Sequence, residues 1–421
     1  VIRDPSRPTD QAATAVSTAK PTAAPAADIT VVGGAGHVGI PLVLSFAARG
    51  LTVNVNDLNT AALAMLADGQ LPFIEYGAGD LLQRALKEQR LVFTSTPATV
   101  SPAGPVIVTI GTPVDEFLNP ERKAILACID SLLPAMSDGQ LLVLRSTLYP
   151  GTTEAIARHV AQQGRAIKVA FCPERIVQGY GIEELRQMPQ IISGTSPEAA
   201  AEAADLFRKI APEIVELEPV EAEFAKLFGN AYRYIEFATT NQFYLIAQAA
   251  GLDYHRILKA MQHNYPRARS IPRPGYAAGP CLMKDTMQLS AFARNDFSLG
   301  NAAMLINEGL PLHVIGDLRR RFDLTTSTVG LLGMAFKSEI DDVRASLSYK
   351  FKKALTGIAR EVLATDPFVT TDPGLLPLDE VVERSDVLIL CTPHMAYKHA
   401  DLRGKPVVDV WGLLDKANKI S

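Results

Sequence analysis

The chain reads as an α/β protein in which two doubly wound parallel-sheet domains are joined by a central helical domain with a long helix. Three observations predict this. From Asp28 onward, short apolar runs alternate with helix-length amphipathic segments, the pattern of repeated strand-helix-strand units. Between residues 220 and 262 the texture changes to a stretch almost free of breakers, with Phe224, Leu227, Phe228, Tyr232 and Ile235 at helical spacing. After Thr328 the alternating pattern returns.

In chain order, residues 1–27 are rich in Pro, Ala and Thr, carry Arg3, Asp4 and Arg7, and lack a secretory apolar core, so they read as a flexible tail. The first α/β domain spans 28–216. Its strands are expected at 29–32, 52–55, 105–110, 140–144 and 168–171, and its helices at 38–49, 60–68, 80–88, 121–134 and 152–163. The central domain, 217–323, opens with one long helix over 220–262 and continues with helical segments between Asp285 and Phe322. A helix of that length suits a subunit seam, which predicts a homodimer or higher homo-oligomer. The last domain, 324–421, has strands expected at 329–332, 361–364, 386–390 and 406–410.

A chain of 421 residues suggests two or three domains. Its 48% hydrophobic and 20% charged residues are ordinary for a globular protein. No run approaches the roughly 18 apolar residues of a membrane span, so a soluble protein without membrane attachment is expected. With 41 basic against 45 acidic residues the net charge is −4, which gives no broad field for nucleic acid or anionic lipid. Any phosphate must therefore be held locally. Cys128, Cys172, Cys281 and Cys391 form no CxxC pair, which argues against a metal site or a disulfide framework and for the reducing cytoplasm.

Directly after the first expected strand, Gly34, Gly36 and Gly39 form GAGHVG, with His37 and Val38 between the last two glycines. The first glycine permits the bend, the second admits a pyrophosphate to the backbone, and the third lets helix pack on strand. The exposed N–H groups of the following helix then hold negative charge. Asp57, at the end of the second strand, suits the adenosine ribose hydroxyls and would repel a ribose phosphate, which favours NAD over NADP.

Cys281 follows small residues and prolines and precedes Lys284 and Asp285. Close backbone approach and nearby positive charge favour a nucleophilic thiolate there, and the competing reading is a small buried apolar side chain. Lys226 and Asn230, four apart on the expected long helix, project from one face and together suit an oxyanion, although each also suits an ordinary solvated position.

With these residues in hand, the chain resembles the UDP-glucose and GDP-mannose dehydrogenases and their relatives acting on UDP-N-acetylhexosamines, from about Asp28 to Leu414. The resemblance rests on ordered motifs: GAGHVG, Asp57, Gly111-Thr112-Pro113, Arg145-Ser146-Thr147, Cys172-Pro173-Glu174-Arg175, and Lys226 with Asn230. It continues through Cys281 with Lys284 and Asp285, the segment GMAFKSEIDDVR ending at Arg344, Thr365-Asp366-Pro367, and Thr392-Pro393-His394. It implies Rossmann-like outer domains and two successive hydride transfers to NAD, which take a primary alcohol of a nucleotide sugar to the acid through a thiohemiacetal and a thioester on Cys281.

The resemblance also implies roles. Lys226 and Asn230 would steady the oxyanion, Asp285 with Thr147 would place a water for proton transfer, and Glu174 would assist hydrolysis as a base. Gly111, Thr112, Pro113, Ser146, Lys284 and Arg344 would line the cofactor, with Arg344 reaching it from its own or a neighbouring subunit. Arg175, Arg267, Arg273, Tyr276, Phe336 and Lys337 would contact the nucleotide sugar.

Three departures stand out. The loop before the thiol is Tyr276-Ala277-Ala278-Gly279-Pro280, where the family has Gly-Phe-Gly-Gly or Gly-Val-Gly-Gly-His, so methyl groups enter beside the sugar. Gln178 stands where the glucose and mannose enzymes carry a second glutamate, and the Pro-Glu-Arg segment resembles the N-acetylhexosamine branch, whereas Lys284-Asp285 resembles the other. Ala61 and Ala62 replace an arginine that some relatives place after the ribose-binding acid. The hexose and its nucleotide, UDP or GDP, stay open. Two competing readings are a two-electron dehydrogenase of the 6-phosphogluconate or 3-hydroxyacid type, which has no need of the segment from Thr328 to Leu414, and a catalytically silent nucleotide-sugar-binding protein.

Overall fold

The computed structural model describes residues 27–112 and 122–414. Residues 1–26 of the tail expected over 1–27, Pro113 and the start of a helix at Glu121 lie outside the described residues.

The first sheet is built from β1 (Ile29–Val32), β2 (Val53–Asn56), β3 (Leu91–Thr94), β4 (Val106–Val108), β5 (Leu141–Leu144), β6 (Lys168–Phe171), β7 (Gln190–Gly194) and β8 (Ile214–Glu216). Between the strands lie α1 (Gly39–Ala47), α2 (Thr60–Ala67), α3 (Ala78–Lys87), α4 (Arg122–Leu132), α5 (Thr152–Gln162), α6 (Gly181–Gln187) and α7 (Pro197–Phe207). The strand order is β3-β2-β1-β4-β5-β6-β7-β8, parallel except where β7 runs against β6. Chain order reverses between β1 and β4, so the loops after those two strands open a crevice at the carboxyl edge.

β1, β4 and β5 are buried along their whole length; β4 and β5 accordingly read as unbroken apolar runs, and β1 is apolar but for Thr30, whose hydroxyl accepts from the Ser101 N–H at 3.1 Å. Strands β3, β7 and β8 and helices α6 and α7 are absent from the sequence expectation. β3 is half-buried throughout, β8 is three residues long at the sheet edge, and β7 mixes Gln190 and Ser193 into its apolar run, so none carries a clear alternation.

The stretch expected to be one helix over 220–262 is two, α8 (Pro219–Ala249) and α9 (Tyr254–Gln262). Gly251, with φ +69°, takes the left-handed cap conformation, and the Asp253 side chain accepts from the Arg256 N–H at 3.1 Å to start the next helix. α8 itself begins with a reciprocal capping box between Glu218 and Glu221 and with Pro219 in its first turn. Glu223, buried on its next turn, accepts from the N–H groups of Gly151 and Thr153 at 2.6 and 2.8 Å, which seats α8 against the start of α5.

α10 (Leu282–Phe292) and α11 (Ser298–Arg321) pack on α8. The buried Asn241 of α8 donates to the Gly275 carbonyl at 2.9 Å and to Asn307 of α11 at 2.9 Å, and accepts from the Gly275 N–H at 2.8 Å. This amide clamps the loop that leads to Cys281.

A second, all-parallel sheet has the order β10-β9-β11-β12. It comprises β9 (Thr328–Leu332), β10 (Glu361–Thr365), β11 (Val387–Leu390) and β12 (Val407–Val408), with α12 (Leu347–Leu355), α13 (Leu378–Arg384) and α14 (Met395–Lys398) in the connections. Among the described residues no helix is long and apolar enough to cross a membrane.

Asn241→Ala leaves the Gly275 N–H and carbonyl buried without their partner. The expected loss is about 2–4 kcal/mol of unfolding free energy, together with faster amide exchange in the 272–281 loop. Urea denaturation and hydrogen exchange read both, and an unchanged loop would show that the clamp is incidental.

Candidate active site

The glycine loop after β1 is shaped by close approach. A Cβ on Gly39 would lie 2.3 Å from the Gly33 carbonyl oxygen, and one on Gly34 2.8 Å from the Val31 oxygen, so only glycine lets α1 start this near the strand. Asp57 follows β2. One carboxylate oxygen accepts from the Ala35 N–H at 3.0 Å and the other from the Asn59 N–H at 2.9 Å. Each oxygen keeps a further lone pair for a ribose hydroxyl. The cradle and acid fit a dinucleotide with a free ribose.

His37, inside that loop, stacks on Phe73 with ring centroids 3.8 Å apart, and its Nε2 lies 3.7 Å from Asp342 of the loop after β9. Burial, followed by the charge of Arg344, lowers its pKa to about 4 against the opposing pull of Asp342. Arg344 holds Asp342 through two guanidinium nitrogens at 2.6–3.0 Å. With its amide nitrogen toward the carboxylate, Gln178 donates to Asp342 at 2.8 Å and accepts from Arg344 at 2.9 Å.

Cys281 caps the start of α10 and opens on a cavity of about 250 Å³ between α8, the loop over 175–178 and the loop after β9. Lys226, Asn230, Arg233 and Phe237, at helical spacing on α8, form one wall. Arg175, Lys226, Arg233 and Lys337 give the lining four cations, and among the described residues it contains no carboxylate. The local grip on phosphate that the near-neutral composition demands is therefore available here.

Positive charge near the thiol was expected to favour thiolate; the net effect is the reverse. Although Cys281 is open to the cavity, desolvation by the surrounding walls pushes its pKa up, Asp285 adds to this, and Lys226, Lys284 and Arg344 pull it down by less. Asp285, one turn along α10, is fully buried. Its Oδ2 accepts from Asn230 at 2.5 Å, and its Oδ1, with no hydrogen-bond partner, faces Lys284 at 3.4 Å. Lys284 also donates to the Thr112 carbonyl at 3.2 Å, joining α10 to the loop after β4.

Thr112 donates in turn to the Thr147 carbonyl at 2.8 Å, and Ser146 to the Ile110 carbonyl at 2.6 Å, so Gly111, Thr112, Ser146 and Thr147 gather at the crevice beside the glycine loop. Pro113 lies outside the described residues. Phe336 and Lys337 line the cavity; a Cβ on Gly279, whose φ is +101°, would lie 2.7 Å from the Phe336 ring. Tyr276 also borders the cavity but is mostly packed edge-on against Phe351 and Trp411. Ala277 and Ala278, the departures in this loop, line the same space.

The chain matches the UDP-glucose/GDP-mannose dehydrogenase family in three blocks: its NAD binding domain over residues 27–211, its central domain over 220–309 and its UDP binding domain over 330–416. The chain belongs to that family. It is an NAD-dependent nucleotide-sugar dehydrogenase. It is 29% identical to the UDP-N-acetyl-D-mannosamine dehydrogenase of Pyrococcus horikoshii over 89% of this chain and 93% of the other. It is 27% identical to the NDP-N-acetyl-D-galactosaminuronic acid dehydrogenase of Ralstonia nicotianae, covering 91% and 96%. Among solved structures, the UDP-glucose dehydrogenase of Pyrobaculum islandicum superposes with a TM-score of 0.87 at 25% identity, covering 95% and 97%. Membership of the 6-phosphogluconate or 3-hydroxyacid class is set aside, because the second sheet that this class does not need is present and matches a UDP binding domain.

Three residues expected at the site do not line the Cys281 cavity. Glu174 does not border the Cys281 cavity. It forms a buried ion pair with Arg145, whose Nε donates at 2.7 Å, while its other oxygen accepts the Arg175 and Ile176 N–H groups at 2.7 and 2.9 Å. Both oxygens are committed, so this carboxylate is badly placed to act as a base. Arg267 folds back on Tyr265, its Nε donating to that hydroxyl at 2.8 Å, and Arg273 is exposed outside the cavity. Arg233 and Trp411 are lining residues that the sequence reading missed. The signal for Arg233 was present: it stands seven residues after Lys226 and three after Asn230, on the same helix face.

Two predictions follow from this geometry. His37 has a folded pKa of about 4 against 6.5, so its contribution to stability is full above pH 6.5 and is lost as pH falls toward 4. Wild type should lose melting temperature between pH 7 and 5 more steeply than His37→Phe; parallel curves would remove the effect. Glu174→Gln weakens the partner of a buried guanidinium and should cost about 3–5 kcal/mol in denaturant unfolding. A fully stable variant that accumulates thioester would instead restore the base role.

Proposed function

We propose that the enzyme carries out a four-electron oxidation of a UDP-N-acetylhexosamine at its primary alcohol, giving the uronic acid through covalent intermediates on Cys281. The observation that carries this is the thiol at the mouth of a cavity lined, among the described residues, by four cations and no carboxylate, next to a dinucleotide cradle. A dianionic diphosphate and a neutral sugar suit that lining. The acetamido sugar is favoured by the Pro173-Glu174-Arg175 segment and by relatives named for UDP-N-acetyl-D-mannosamine and NDP-N-acetyl-D-galactosaminuronic acid. UDP is favoured by the UDP binding domain.

Bound NAD supplies the hydride acceptor, one molecule for each oxidation. In the first, the alcohol loses a hydride and a proton. The Cys281 thiol then adds across the aldehyde, its sulfur to carbon and its proton to the oxygen, and the thiohemiacetal keeps the aldehyde from escaping. Loss of a second hydride and a proton leaves the thioester. Water attacks its carbonyl carbon, the C–S bond breaks, and the acid and the thiol are released.

Lys226 and Asn230 steady the oxygen that gains charge in the addition and hydrolysis steps. Asp285, with one oxygen without a hydrogen-bond partner and Asn230 on the other, is the proton acceptor, with Thr147 across the crevice. Gly34, Gly36, Val38, Gly39, Asp57, Thr112 and Lys284 hold the cofactor, and Arg344, whose charge is felt at both His37 and Cys281, spans cofactor and thiol. Arg175, Phe336 and Lys337 hold the nucleotide sugar. We divide the chain at 28–216, 217–323 and 324–421, with α8 as the seam of a homodimer or larger homo-oligomer, working in the cytoplasm.

Purified enzyme with NAD and a panel of UDP-N-acetylhexosamines, UDP-glucose and GDP-mannose should release two NADH per sugar, fastest with an acetamido sugar. One NADH per sugar would overturn the four-electron reading. Cys281→Ser should lower acid formation at least about a thousandfold while still binding NAD. Undiminished acid production in that variant removes the nucleophile.

A further inference from the structure

We propose that His394 is a positioning residue for the nucleotide sugar, acting through the loop over 334–344 that carries Phe336 and Lys337 to the cavity. This rests on the nucleotide-sugar reading above and extends it to a buried group that the chemistry does not touch.

The loop leaves β9 at Gly333 and is held at two points. At its start, the N–H groups of Met334 and Ala335 donate to Asp366 Oδ2 at 2.6 and 2.9 Å. Further along, Glu339 takes φ +61°, an uncommon conformation for a residue with a β-carbon, and its N–H donates to His394 Nδ1 at 3.0 Å. His394 is fully buried, and its Nε2 faces Asp366 Oδ2 at 3.1 Å.

This arrangement selects one tautomer. Nδ1 accepts, so the proton sits on Nε2 and is donated to Asp366. The imidazole therefore couples the two anchor points: through Nε2 it orients the carboxylate that holds residues 334 and 335, and through Nδ1 it holds residue 339. Lys337 lies two residues before Glu339, and Pro393, beside His394, lines the cavity as well. The far side of the loop is tied to the first domain, where the Tyr76 hydroxyl donates to the Glu339 carbonyl at 2.8 Å and the Ile74 N–H donates to Asp341 at 3.1 Å. With both sides fixed, the segment carrying Phe336 and Lys337 has one position. Release of Nδ1 frees the middle of the loop, while Asp342, the residue of this loop that faces His37, keeps its own partners Arg344 and Gln178.

Two amide variants separate the two nitrogens. Asn at 394 places an oxygen near Nδ1 and keeps the Glu339 bond, whereas Gln places a nitrogen near Nε2 and keeps the Asp366 bond. His394→Asn should bind UDP like wild type. His394→Gln should weaken UDP binding by calorimetry, and raise KM for the UDP-sugar, by about tenfold, the size expected for one buried hydrogen bond. Its kcat should stay within about twofold and its NAD KM should move far less than the KM for the UDP-sugar; hydrogen exchange should quicken over 336–340.

Equal effects in the two variants, or unchanged UDP binding in a folded His394→Gln, would overturn the proposal. So would a fall in kcat with KM unmoved. Should the Gln variant not fold, nitrogen NMR of wild type decides: a protonated Nε2 and bare Nδ1 at neutral pH support the proposal, and the other tautomer refutes it. A wild type that binds no UDP refutes the nucleotide-sugar reading itself and takes this proposal with it, whereas a normal wild type with unmoved variants refutes this proposal alone.

Discussion

The position of the Cys281 thiol depends on the bond pair between Asn241 and Gly275. The loop over 272–281 has no regular structure, and it must hold Cys281 opposite Lys226 and Asn230 with little tolerance. A buried amide that bonds both the N–H and the carbonyl of one residue fixes that residue's position and its peptide orientation together. Because Asn241 sits on the same helix as Lys226, Asn230 and Arg233, the loop and the wall it faces share one rigid reference. Asn307, which accepts from Asn241 and donates to the Tyr234 carbonyl at 2.9 Å, extends that reference to α11.

The electrostatics of the cavity pull in two directions. A thiol needs water or positive charge to ionise, yet the aldehyde chemistry proposed above gains from excluding water. Here desolvation wins, and the thiol is held up despite three nearby cations. Asp285 contributes to that outcome, since its charge opposes ionisation of the sulfur. Burial and the Asp285 charge thus oppose ionisation of the Cys281 sulfur more than the nearby cations favour it. The cations that fail to ionise the thiol suit the diphosphate instead.

Legibility from sequence divided along physical lines. The glycine cradle and Asp57 were readable because their chemistry depends on local spacing after a strand. The pairing of Lys226 with Asn230 was readable for the same reason, as helix periodicity puts them on one face. The break between α8 and α9 was missed because Gly251 and Asp253 are single residues whose cap geometry overrides a long apolar pattern. β3 and β8 were missed because edge strands need little apolar alternation. Arg267 and Arg273 were placed in the site by resemblance alone, and nothing in local spacing could say that one would fold onto Tyr265.

Glu174 has a structural partner that its motif does not reveal. A carboxylate after a strand end, in a segment matching the family, invites assignment as a base; but its neighbour in space, Arg145, comes from the preceding strand end and is itself fully buried. A buried guanidinium needs a partner more than a hydrolytic step needs a second acid, because leaving it unpaired costs several kcal/mol in every state of the protein. The pair, with Gln190 accepting from Arg145 at 3.0 Å, shapes the loop that brings Arg175 and Gln178 to the cavity. Within the proposed chemistry the proton steps then fall to Asp285, the carboxylate one turn from the thiol with an oxygen free of hydrogen bonds. One acid serving successive steps is consistent with a substrate that stays attached to one sulfur between them.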